Sequence, residues 1–233
     1  NGDYNYVIWN DQFYNEPIKN AESPWGHSKG MLAWNDEGEG FVMQVSTPSW
    51  PASGNSKYPR KNDGNTLGCI KDDNIEVSQH FFALKINKDD LVKVLTVLQN
   101  SSVVTDPTNK QIVMNRGPKD VQELVTQLGV KSKSKTIIKE KLSSGVELIS
   151  KPSGLHVPPW QMVSAQMNSV PLRIASWWAR PEMTSTTATT NIGCWDDSIG
   201  KPGPVQIATS GSWNGTKISL VGDEHGNHAK FGV

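Results

Sequence analysis

Two amphipathic helical periods set among short strand-like runs constrain the fold more than any other feature of this chain. Leu91, Val94, Leu95 and Leu98 recur at the spacing that lines one helix face, behind Asn87 or Asp89 as a cap. Pro118 opens a second helix, with Val121, Leu124, Val125 and Leu128 on one face and Gly129 closing it. A third is expected after Pro158 and Pro159. Ahead of the helices the chain reads as strand, turn, strand. Tyr6 to Trp9 and Gly30 to Trp34 are strand candidates, Asn35 to Gly40 a turn, and Phe41 to Val45 the return strand. A Pro-, Ser-, Gly- and Asn-rich loop runs from Thr47 to Gly64, and Glu76 to Ile86 reads as a longer, partly buried strand. Pro171 to Ala179, Val205 to Thr209 and Lys217 to Val221 are further strand candidates, and the Thr-rich run Thr184 to Thr190 reads as exposed. Strands mixed with helices imply an α/β or α+β sandwich.

With 36% hydrophobic and 20% charged residues, 233 residues suffice to bury a core. Lys+Arg and Asp+Glu both number 23, so the chain is neutral overall. Phosphate contacts dominate the affinity of nucleic-acid binders, so neutrality argues against a protein that coats DNA and is compatible with an enzyme holding a local basic cleft. The segment Lys131 to Lys141 is rich in lysine and holds no arginine. It reads as a solvated strand and loop, or as a basic rim for a polyanion. Trp25, Trp50 and Trp195 sit beside polar loops, where they line clefts or serve structure. No apolar run of about 18 residues reads as a membrane span, and none at Asn1 reads as a signal peptide, as expected of a mature or trimmed chain. Cys69 and Cys194 are two cysteines whose pairing spacing alone leaves open. Asn100-Ser101-Ser102 and Asn214-Gly215-Thr216 fit the glycosylation pattern, one that arises often by chance.

Five histidines are present, and two share a local pattern. Gly26-His27-Ser28-Lys29-Gly30 sits early, and Asn227-His228-Ala229-Lys230-Phe231-Gly232 sits late. On a strand, histidine and lysine two positions apart point to one face. That pair suits phosphodiester chemistry. A neutral imidazole can attack phosphorus and form a phosphohistidine. A neighbouring ammonium can hold a non-bridging oxygen. A second imidazole can protonate the leaving oxygen and then activate water. Ring pKa values near 6.5 allow one histidine to be neutral and the other protonated in mildly acidic solution. The bland reading is two unrelated histidines.

The other histidines read differently. His225 and His228 lie three apart, as on a metal-binding helix, but Gly222, Gly226 and Gly232 argue against a helix there. His80, within Gln79-His80-Phe81-Phe82, reads as a packed core residue on an apolar strand, and His156 as structural. No Gly-rich phosphate loop and no nucleophile elbow is found.

These residues resemble the DNase II family. Trp9-Asn10-Asp11-Gln12 followed by Gly26 to Gly30 is similar to its first active-site block. Val45-Ser46-Thr47-Pro48-Ser49-Trp50-Pro51 resembles the loop after it, and Gly64-Asn65-Thr66-Leu67-Gly68-Cys69 a further segment, with Gln79 to Phe82 next in order. Asp223 to Phe231 resembles the second block. The resemblance implies a mixed α/β, phospholipase D-like fold: a single catalytic domain made of two similar sheet-and-helix halves, about 1–130 and 131–233, around one central active-site cleft. It implies an endonuclease that cuts DNA, favours acid, needs no metal or other cofactor, and leaves 3′-phosphate ends. It assigns catalysis to His27, Lys29, His228 and Lys230, with His27 as nucleophile and His228 as general acid, and offers Ser46 as a phosphate contact. A secreted, periplasmic or lysosomal setting follows, with DNA as partner, no membrane, and a homodimer left open.

Three departures stand out. Ser49 occupies a position where relatives often carry asparagine. A hairpin, Gly30 to Val45, follows the first tripeptide and none follows Lys230, so the outer family segments are expected to be missing from this sequence. Family cysteines pair with partners in those segments, so Cys69 and Cys194 are expected to lack their mates. The competing readings are another phospholipase D-like phosphodiesterase, acting on lipid or RNA, and a non-catalytic DNA-binding relative.

Overall fold

A computed structural model describes residues 4–13, 24–51, 77–179, 182–222 and 226–233. The chain forms two compact units, Asn1–Asn74 with Phe81–Gly154, and Ile75–His80 with Leu155–Val233. Among the described residues the architecture is mixed, with several sheets and three α-helices. None of the described helices is long and apolar enough to cross a membrane.

The first unit is built on strands β1 (Asn5–Asn10), β2 (Lys29–Trp34), β3 (Gly40–Val45) and β4 (Phe81–Ile86). With β5 (Val113–Met114) they make a five-stranded sheet ordered β4-β3-β2-β1-β5. Every pairing in it is antiparallel. Register sets Val7 opposite Leu32 and Asn5 opposite Trp34. Alternation therefore gathers Val7, Trp9, Leu32 and Trp34 on one face. That face is buried in one cluster with Leu91, Val94, Leu95 and Leu98 of α1 (Lys88–Asn100) and with Val121 and Val125 of α2 (Lys119–Thr126). Of the two expected caps, Asn87 is the one used, its side chain accepting from the Asp90 N–H at 2.9 Å. Gly129 follows α2 at φ +72°, a left-handed turn that favours glycine. Lysines of the basic segment enter a hairpin, β6 (Ile138–Lys141) with β7 (Glu147–Ser150), which sequence had read as strand and loop. Buried Asn100 at the end of α1 donates to Ser150 Oγ at 3.2 Å and ties helix to hairpin.

The strand expected over Glu76–Ile86 is shorter. It begins at Phe81, and Glu76 lies outside the described residues. Its first three residues are exposed, so as a sheet edge it is less buried than its apolar sequence suggested.

In the second unit, α3 (Pro159–Gln166) packs Trp160 and Val163 onto the core of a three-stranded sheet. The sheet is ordered β12-β8-β9, from β8 (Leu172–Ala175), β9 (Val205–Ile207) and β12 (Phe231–Gly232). A separate hairpin joins β10 (Ser210–Trp213) to β11 (Thr216–Ser219). Sequence showed the second of these strands and missed the first, which is short, exposed and rich in serine.

Candidate active site

The first histidine–lysine pair is placed by three close approaches. Gly26 has space for no side chain: a Cβ there would lie 2.4 Å from the carbonyl oxygen of Ser101, at the end of α1. Its N–H donates to Ser102 O at 3.0 Å, and Ser28 N–H returns to Gly26 O at 2.8 Å, so His27 is the middle of a tight turn. Gly30 lies opposite Trp9 across the β1–β2 ladder. A Cβ there would stand 2.4 Å from the Trp9 ring and 2.3 Å from Met43 O. The indole lies over the glycine, and its Nε1 donates to Ser28 Oγ at 3.0 Å. The turn thus delivers His27 with its side chain 61% exposed, and Lys29 with its side chain 2% exposed.

Both side chains face one carboxylate. Asp11, 4% exposed, accepts from Lys29 Nζ at 2.6 Å through Oδ1, and its Oδ2 lies 3.7 Å from His27 Nε2. The second distance is too long for a hydrogen bond and makes an ion pair only when His27 is protonated. Burial pushes the Lys29 ammonium below the ordinary lysine value, and the charge and hydrogen bond of Asp11 draw it part of the way back. Asp11 is held from behind. Asn10 side-chain N–H groups donate to Trp50 O at 3.0 Å and Thr47 O at 3.5 Å, while Gln12 N–H donates to Asn10 Oδ1 and Ser49 N–H to Gln12 O. This lattice fixes the Ser46–Pro51 loop beside the strand end that carries Asp11. Ser46, the phosphate-contact candidate, follows β3 and is buried. Ser49 adopts φ +59°, a left-handed conformation that asparagine tolerates better than serine.

The second pair is held differently. His228 is 6% exposed. Its Nδ1 lies 3.0 Å from Gln79 Oε1, and its ring meets Trp177 edge to face at 5.0 Å and 87°. Lys230 Nζ donates to His228 O at 2.6 Å and stands 5.6 Å from the Trp177 ring centre. Histidine and lysine therefore meet at one indole, as the first pair meets at one carboxylate. Residues 77–80 clip this segment in place. Ser78 O accepts from the N–H groups of His228 and Ala229 at 2.9 and 3.0 Å, and Ser78 N–H donates to Gly226 O at 3.0 Å.

His80 corrects the sequence reading. It precedes β4, is half-buried rather than packed in the core, and its Nδ1 accepts from the Lys230 N–H at 3.4 Å. Burial and the nearby Lys230 charge both push His80 below the usual imidazole value, which favours the neutral ring this acceptor role requires. His156 is exposed. Neither tripeptide lies wholly on a strand: Lys29 opens β2, and His228, Ala229 and Lys230 precede β12. His225, Cys69 and the Gly64–Cys69 segment lie outside the described residues, and Cys194 is exposed.

Asp11, Gln79, His80 and Trp177 are the residues sequence reasoning missed as site components. Asp11 and Gln79 stood inside quoted runs without a role. For Trp177 no sequence signal was at hand.

A family model described as Deoxyribonuclease II matches residues 1–195. The match takes in His27, Lys29, Asp11 and Ser46 and ends before His228 and Lys230. No curated protein matches the chain.

Proposed function

As the chain belongs to the deoxyribonuclease II family, and is thereby a hydrolase acting on DNA, we propose that it is an endonuclease that cuts phosphodiester bonds without a divalent metal, in acid, leaving 3′-phosphate ends. The observation that carries this reading is the repeated tripeptide: His27 and Lys29 converge on Asp11, and His228 and Lys230 converge on Trp177. Two local arrangements that each pair an imidazole with an ammonium suit an anionic phosphodiester, whose charge repels anionic nucleophiles.

In this reading the two pairs act on one phosphate in a phospholipase D-like catalytic domain. A ring nitrogen of His27 attacks phosphorus, a P–N bond forms and the P–O5′ bond breaks. His228 gives its Nε2 proton to the leaving 5′-oxygen. Water then attacks the phosphohistidine, passing its proton to His228. The P–N bond breaks, and a 3′-phosphate and neutral His27 remain. Lys29 and Lys230 offset charge on the non-bridging oxygens, and Ser46 adds a hydroxyl contact. The family and the chemistry fit a secreted, periplasmic or lysosomal setting.

The test is plasmid cleavage in mildly acidic buffer with excess EDTA. The full chain is expected to cut, and the new 5′ ends to accept phosphate from polynucleotide kinase without prior phosphatase treatment. His27→Ala and His228→Ala are each expected to abolish cleavage. Activity lost in EDTA, or retained by either folded variant, overturns the mechanism.

A further inference from the structure

His228 is buried, and what touches its ring sets which nitrogen can act. Gln79 Oε1 lies 3.0 Å from Nδ1. An amide oxygen can only accept, so Nδ1 carries a proton and the neutral ring keeps its lone pair on Nε2. The seat of Gln79 is fixed by its neighbours, with Ser78 hydrogen-bonded to both sides of His228 and His80 receiving the Lys230 N–H. The Trp177 edge-to-face contact restricts ring rotation about the same position. The chemical identity of the partner matters as well as its place. An amide oxygen accepts from Nδ1–H in the imidazolium and in the neutral ring alike. It carries no charge, so it favours the imidazolium far less than a carboxylate would. A ring that must give a proton in one step and take one in the next is served by such a partner.

We propose that Gln79 is a positioning residue that holds His228 in the Nδ1–H tautomer through both protonation states, so that Nε2 is the nitrogen presented for proton transfer. The catalytic meaning rests on the function proposed above, whereas the tautomer itself does not.

Nitrogen-15 NMR of the histidine-labelled full chain, at a pH where the ring is neutral, reads the tautomer directly. The His228 signals are expected to show protonated Nδ1. In Gln79→Ala they are expected to move toward the Nε2–H form, while those of His156 stay unchanged. Cleavage by Gln79→Ala is expected to fall in kcat by roughly 10–100-fold, on the scale of losing the outer partner of a metal-bound histidine, with KM for DNA unchanged. Gln79→Glu restores an acceptor and is expected to restore the tautomer, a rescue that a purely structural role would not produce. An Nε2–H ring at His228 in the unmodified protein overturns the proposal without reference to any variant, as does a tautomer unmoved in Gln79→Ala. If the tautomer behaves as expected and the protein cuts no DNA, the proposed function fails while the role of Gln79 in setting the ring stands.

Discussion

Replacing Asp11 by alanine tests how the first pair is held. The carboxylate and the Lys29 ammonium lie 2.6 Å apart with side chains 4% and 2% exposed, so neither is solvated by bulk water. Removing one partner of such a pair leaves a buried ion without compensation, which typically costs about 3–5 kcal/mol. That is a large share of the roughly 5–15 kcal/mol by which folded domains are stable. The pH dependence has a definite sign. Burial already lowers Lys29 below the ordinary lysine value of 10.5, and Asp11 raises it. Without Asp11 the folded-state value falls further. Between that lower value and the unfolded one, the unfolded chain binds more protons, so the variant gains stability as pH rises. The deficit of Asp11→Ala relative to the parent is therefore greatest at neutral pH and closes on the alkaline side. Urea unfolding across a buffer series measures it. The double variant Asp11→Ala with Lys29→Met is expected to recover much of the loss, because no charge is then left buried. A neutral-pH deficit under about 1 kcal/mol would contradict the magnitude expected for a buried pair, and a deficit that widens with alkalinity would contradict the sign.

Two further substitutions probe the scaffold around the same pair. Gly30→Ala places a methyl group 2.4 Å from the Trp9 ring and 2.3 Å from Met43 O. It is expected to cost about 1–3 kcal/mol as overpacking and to slow cleavage by displacing the indole that holds Ser28; an unchanged Tm counts against it. Ser49→Asn places a residue suited to φ +59° in that loop. It is expected to raise stability by under about 1 kcal/mol, a fraction of the left-handed penalty, with cleavage unchanged, and a lower Tm refutes the backbone account.

Much of the scaffold could be read from local pattern. The β1–β3 strands, the Asn87 cap and the three helices follow from alternation, helical period and turn residues, all of which act over a few positions. The His27–Lys29 tripeptide was legible as a pattern, but a tight turn and the Asp11 carboxylate bring the two side chains together, not the strand alternation expected of it. What escaped was set at long range or by burial. Gln79 and His228 are separated by 149 positions, and no periodicity announces that contact. His80 stands beside two phenylalanines and so reads as core, yet those phenylalanines lie on the exposed start of an edge strand. Local hydrophobicity is a poor guide at a sheet edge. Asp11 looks like any acidic turn residue in sequence, and only burial against Lys29 gives it consequence.

The short strip Val77–His80 has a further consequence for how the protein comes into being. It is made early, is flanked on its C-terminal side by a strand of the other unit, and is completed only by residues synthesised some hundred and fifty positions later. Until those residues emerge, the strip has neither the ring that Gln79 meets nor the N–H groups that the Ser78 carbonyl accepts. A fragment beginning at Leu155 lacks the strip as well as His27 and Lys29, so a synthetic peptide spanning the strip is expected to rebuild the seat of His228 and not to restore cleavage.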